Sequence, residues 1–161
     1  MIPESRLVYM DHAATTPVDP RVVEAMLPYF SEQYGNPSSL YRLAAKAREA
    51  MDTARRQVAD ILGCRPTEVL FTSCGTESDN LALRGVTLAA KSRGRHVITT
   101  PIEHHAVGVT CEQLAESFGC RVTLVDVDSQ GMVDPDAVGR AITDETALIS
   151  VMYANNEVGT I

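Results

Sequence analysis

No apolar stretch in this sequence is long enough to span a bilayer, and residues 1 to 10 lack the basic start and apolar run of a secretory signal. Neither a membrane-spanning helix nor a secreted product is expected, and the cytoplasm is the expected compartment. Aromatic residues make up only 5% of the chain, and 14 lysines and arginines face 21 aspartates and glutamates. The resulting charge of -7 and pI near 5.0 would repel a polyanionic backbone, so nucleic acid is not an expected partner. A small basic patch around Arg93, Arg95 and His96 does not reverse that balance. Cys64, Cys74, Cys111 and Cys120 form no C-x-x-C pair, which argues against a zinc site and against a thioredoxin-like redox pair. In a reducing compartment they read as buried or half-buried thiols. No G-x-G-x-x-G follows a predicted strand, which disfavours a dinucleotide-binding module.

What is present is an ordinary globular composition, 45% hydrophobic and 22% charged, pointing to neither disorder nor fibre. From Asp19 onward, helical periodicity alternates with short apolar runs, the pattern of an α/β domain with a mainly parallel sheet. Asp19-Pro20 supplies a helix cap and a first-turn proline, with Val22, Val23, Met26, Leu27 and Phe30 on one face and a kink at Pro28. Pro37-Ser38-Ser39 opens a long helix whose Ala44, Ala47, Met51, Ala54, Val58 and Ile61 recur at helical spacing up to Gly63. Beyond it the pattern predicts strands at 68–71, 96–99, 121–125 and 147–152. The helices predicted between them span 76–90 and 105–118, with a shorter one after Asp134-Pro135.

Parallel strands joined by right-handed crossovers bring their strand-to-helix loops to one sheet edge, where open α/β folds bind ligands. Three loops are expected there. In the first, 72–77, Gly75 admits close approach of a ligand, Thr76 adds a hydroxyl, and free N–H groups at the helix start suit a phosphate. The same residues also describe a simple capped helix. In the second, 101–105, an imidazole can stack on an aromatic cofactor, move a proton or serve as a helix-start polar group. Metal ligation is the weakest of its options, since no second ligand pair stands at helical spacing. In the third, 153–157, asparagine offers donor and acceptor to a cofactor hydroxyl or a carboxylate, and equally makes an ordinary turn.

Five pieces in order carry a resemblance: residues 9–17 (YMDHAATTP), 35–39 (GNPSS), 76–80 (TESDN), Glu103-His104, and 155–159 (NNEVG). Together they resemble the cysteine desulfurases of the NifS and IscS type, pyridoxal-phosphate (PLP) enzymes of the aminotransferase class V family, from about Leu7 to the last residue. The resemblance implies a partial three-layer α/β/α PLP-transferase large domain over 16–161, with residues 1–15 bordering the active site and the small domain. It implies that Gly75 and Thr76 hold the PLP phosphate, that His104 lies against the ring and takes part in proton transfer, and that Asn155 reaches the cofactor's O3′ or the substrate carboxylate side. Asn36 and the segment around Ala13–Thr15 would border the substrate. The implied reaction converts L-cysteine to L-alanine, leaving a persulfide on an enzyme cysteine. The same resemblance implies that this sulfur would pass to an iron-sulfur scaffold or to tRNA-thiolation partners and that the full-length enzyme would be a homodimer.

The chain departs from the family at Cys74, where a glycine or another small residue is usual, and at Tyr41, where a histidine is common. Its lysines are Lys46 and Lys91, neither in the Ser-x-His-Lys context of the Schiff-base lysine. That lysine, the pyridinium-pairing Asp, the substrate-binding Arg and the persulfide-forming Cys are expected further along, so the chain reads as an N-terminal part that is inactive alone. A selenocysteine lyase, an aminotransferase and a non-catalytic half-subunit share much of the same pattern. An isolated part of a sheet would expose strand edges and apolar surface, so aggregation is expected.

Overall fold

The computed structural model describes residues 8–90 and 94–161, so Leu7, Lys91 and Arg93 lie outside the described residues. The chain divides into two compact units, Met1–Phe71 and Thr72–Ile161.

In the first unit, helix α1 (Pro20–Met26) starts as its sequence dictates. Asp19 caps it by accepting the Arg21 N–H at 2.8 Å, and Pro20 occupies the first turn, where its missing N–H costs nothing. Pro28 ends α1 and opens a short helix, α2 (Pro28–Ser31). The apolar face foreseen for this region is formed but uncovered, with Val22, Met26, Leu27 and Phe30 all exposed. Helix α3 (Arg42–Leu62) begins later than the sequence suggests. Asn36 accepts the Ser38 N–H at 2.9 Å and closes a turn, so Pro37–Ser39 belong to that turn and not to the helix. Gly63 ends α3 in the left-handed region at φ 65°. The side of α3 that is buried rests on Ala44, Ala47 and Ala59, while Ile61 stands exposed.

The strand expected over 68–71 is absent. Pro66–Glu68 is a 3₁₀ turn, closed by Glu68 accepting the Arg65 N–H, and Val69–Phe71 finds no ladder partner among the described residues. Apolar β-formers at these positions satisfied the sequence pattern, but a strand also needs a neighbour. Here the Val69 carbonyl accepts from Arg55, whose guanidinium lies 5.0 Å over the Phe71 ring.

The second unit holds the sheet: β1 (His96–Thr99), β2 (Arg121–Leu124) and β3 (Thr146–Ile149), all parallel, in the order β2-β1-β3. Among the described residues three strands stand where four were expected. Between them run α4 (Gly75–Ala89), which precedes β1, then α5 (His105–Phe118) and α6 (Pro135–Ala141). Asp134 caps α6 by accepting the Asp136 N–H at 2.9 Å, and Gly119 closes α5 at φ 66°. Central β1 is buried at every position, and Val97 packs with Leu83 of α4 and Val107, Cys111 and Leu114 of α5. Fully burying one such aliphatic side chain contributes about 1.5–3 kcal/mol.

His96 is not part of a surface basic patch. It is buried, with Nδ1 2.8 Å from the Thr146 hydroxyl of β3 and Nε2 2.8 Å from the Thr123 hydroxyl of β2. Burial lowers its pKa from the ordinary histidine value, and Arg121 adds to the effect while Glu145 opposes it.

Candidate functional site

Helices α4 and α5 run side by side in the same direction. The Thr110 hydroxyl donates to Asn80 Oδ1 at 2.9 Å, and further along both helices Arg84 bonds Gln113. Each link lies about equally far from its helix start, so the N-terminal ends at Gly75 and His105 are neighbours.

At the α4 end, the N–H groups of Gly75, Thr76 and Glu77 precede the first intrahelical bond, which runs from Ser78 N–H to the Cys74 carbonyl at 3.2 Å. Glu77 reaches back to accept from both the Ser73 N–H and the Ser73 hydroxyl, each at 2.6 Å, and the Thr72 and Ser78 hydroxyls meet at 2.6 Å. These bonds fix the loop. Gly75 and Thr76 remain exposed, and a Cβ built on Gly75 would meet nothing within 4 Å. Cys74, expected to be buried or half-buried, is exposed at the N-cap. Its sulfur makes no well-formed capping bond, yet its pKa is lowered, first by the Glu77 N–H, then by the Ser73 hydroxyl and the Thr76 N–H. The N–H groups of Gly75, Thr76 and Glu77 at this helix start are of the kind that suits an anion such as a phosphate.

At the α5 end, His104 is the N-cap, with Nδ1 accepting the Ala106 N–H at 3.0 Å. Neutral imidazole then carries its proton on Nε2. The ring is exposed and lies 6.3 Å from the His105 ring.

The third loop is tied to the second. Asn155 is buried and its amide is almost fully used: Oδ1 accepts the Glu157 and Val158 N–H groups at 2.8 and 2.9 Å, and Nδ2 donates to the Ile102 carbonyl at 2.9 Å. The remaining Nδ2 contact is to Met152 Sδ at 3.2 Å, a weak acceptor that a ligand oxygen can replace.

Of the residues read from sequence, Gly75, Thr76 and His104 are thus at adjacent helix ends, and Asn155 is bonded to the loop that carries His104. Asn36 belongs to the first unit, where its side chain shapes the turn before α3. Sequence reasoning missed the roles of Glu103, Glu77 and Asn80. Glu103 and Asn80 bond residues 49 and 30 positions away, a separation with no local signature.

The family model for aminotransferase class V matches residues 8–161. Among curated relatives, the chain is 53% identical over 158 residues to the cysteine desulfurase IscS of Methanosarcina thermophila, covering 98% of this chain and 39% of that protein. It is 50% identical over 157 residues to the cysteine desulfurase IscS of Clostridium botulinum (strain Kyoto / Type A2), covering 98% and 39%. Among solved structures, a NifS-like protein superposes with TM-score 0.91 at 46% identity, covering 96% of this chain and 42% of that one. SspA in complex with cysteine superposes with TM-score 0.86 at 40% identity, covering 92% and 43%. The chain spans about two fifths of the length of the curated relatives it matches, in line with the reading of an N-terminal part.

Proposed function

We propose, because this chain belongs to the aminotransferase class V family, that it forms the N-terminal, cofactor-holding part of a PLP-dependent cysteine desulfurase. The observation that carries this reading is the pair of adjacent helix starts, one a cup of free N–H groups that favours an anion and the other a histidine with a fixed tautomer. The names of the relatives, and a structural neighbour described in complex with cysteine, support L-cysteine as substrate.

PLP fits the donors present: Gly75 and Thr76 would take its phosphate through N–H groups and a hydroxyl, and the space above Gly75 leaves room for that approach. Bound PLP would supply an electron sink for the substrate carbon that carries the amine. His104 would face the cofactor ring and exchange a proton at Nε2, its Nδ1 being held by Ala106. Asn155 would offer the Nδ2 proton that otherwise rests on Met152 Sδ. Asn36 would border the substrate, residues 1–15 would border the active site and the small domain, and 16–161 would belong to the PLP-binding large domain. Transfer of sulfur to an iron-sulfur scaffold or tRNA-thiolation partner, a homodimeric state and a cytoplasmic location rest on the likeness to desulfurases of this type. Among the described residues no helix is long and apolar enough to cross a membrane.

The test is PLP retention in the full-length enzyme. Thr76→Val removes a hydroxyl donor to a charged group and is expected to weaken retention about tenfold or more, whereas Cys74→Gly leaves the N–H cup intact and weakens it less. The reverse order in equilibrium dialysis would overturn the phosphate assignment.

A further inference from the structure

Strands β1 and β3 part company where their ladder should continue. The Ser150 N–H donates to the Ile98 carbonyl at 2.9 Å, and in a parallel ladder the next bond donated from the β3 side would run from Met152 N–H to the Thr100 carbonyl. It does not. The Met152 N–H donates instead to Oε1 of Glu103 at 2.8 Å, and the same oxygen accepts the Thr100 hydroxyl at 3.1 Å.

A carboxylate oxygen thus stands where a backbone carbonyl would have closed the sheet. Glu103 is half-buried, Thr100 is buried, and the Met152 N–H would be left without this acceptor if the side chain were shortened. A second bond crosses the same gap in the same sense, from Asn155 Nδ2 to the Ile102 carbonyl at 2.9 Å. The loop that carries His104 therefore accepts two bonds from the loop that carries Asn155, one of them at the residue directly before His104.

We propose that Glu103 is a positioning residue, its bridge from Thr100 to Met152 fixing the His104 and Asn155 loops in the spread arrangement that faces the ligand. This rests on the cofactor reading above. Glutamate suits the place because one oxygen accepts two donors without supplying a proton of its own. A glutamine keeps an acceptor oxygen at that point, and an alanine keeps none.

The experiment uses the full-length enzyme loaded with PLP. Glu103→Ala is expected to weaken PLP binding at least tenfold and to change the pH titration of the bound cofactor's visible absorption. Glu103→Gln should stay within about threefold of the parent, with an unchanged titration. Thr100→Val, which removes one donor and keeps the shape, should fall between them and serves if Glu103→Ala does not fold. A bridge with a purely structural role would lower the melting temperature of Glu103→Ala and leave the titration of the bound cofactor untouched, and that result overturns the proposal. Glutamine behaving as badly as alanine overturns it too. If the parent enzyme retains no PLP, the cofactor reading fails. The bridge is then decided by the Asn155 side-chain amide resonances, which must move in Glu103→Ala; unmoved resonances overturn it.

Discussion

The two units differ in what holds them. Thr72–Ile161 buries leucine, isoleucine and valine around a central strand, with Leu83, Val97, Ile98 and Leu114 each no more than 2% exposed. Among the described residues of the first unit the buried hydrophobic ones are alanines on α3, while Leu40 and Ile61 are 97% and 84% exposed. Both units nevertheless form the helices that their caps and periodicity specify. Local signals are enough to set a helix, and burial of large side chains is a separate achievement.

The largest expected effect tests that contrast directly. Leu114→Ala should cost about 2–5 kcal/mol, the range for emptying a buried leucine site, whereas Ile61→Ala should stay within about 0.5 kcal/mol. Urea unfolding followed by circular dichroism measures both, and equal costs would erase the difference between the units.

A second substitution asks whether the first unit is loosely built everywhere. A Cβ on Gly35 would lie 2.6 Å from the Leu43 carbonyl carbon and oxygen and 2.8 Å from the Ala44 nitrogen, all backbone atoms that cannot rotate away. Gly35→Ala should therefore cost about 1–3 kcal/mol. Gly85→Ala, with open space inside α4, should gain about 0.5–1 kcal/mol. A silent Gly35→Ala would mean that the turn before α3 is not tightly packed.

The smallest effect concerns pH and belongs to the second unit. His96 has a folded pKa below its unfolded value of about 6.5, so the unfolded chain binds more protons as pH falls. Its contribution to stability is complete above that value and is lost as pH drops toward the folded pKa. The carboxylates whose pKa is lowered, among them Asp19, Glu77 and Asp134, act at more acid pH, below about 5. A melting temperature that declines between pH 7 and 5.5 in the parent, and declines less in His96→Asn, is the expected result. Parallel declines would assign the acid sensitivity elsewhere.

Much of this architecture was legible in the residues themselves. The Asp19 and Asp134 caps, the Pro28 break, the Gly63 and Gly119 stops and the limits of β1 and α5 all follow from chemistry within a few positions. Gly75, Thr76 and His104 could be placed at helix starts for the same reason. The 68–71 segment could not be read correctly, since its apolar pattern suits a strand while pairing depends on a distant neighbour. The surface reading of His96 failed likewise, because a histidine next to Arg95 looks solvated until two threonines from other strands close over it.

By itself, then, the sequence determined the helices, most of their ends though not the start of α3, and the identity of the groups offered to a phosphate and a ring, since caps, glycines and periodicity act over a few residues. Only the tertiary structure decided which of those groups stand together. Parallel packing of α4 and α5 made neighbours of two helix starts, and Glu103 reached 49 residues along the chain to hold the Met152 N–H. Hydrogen bonds over such separations depend on how the sheet and helices pack, and no local pattern encodes that.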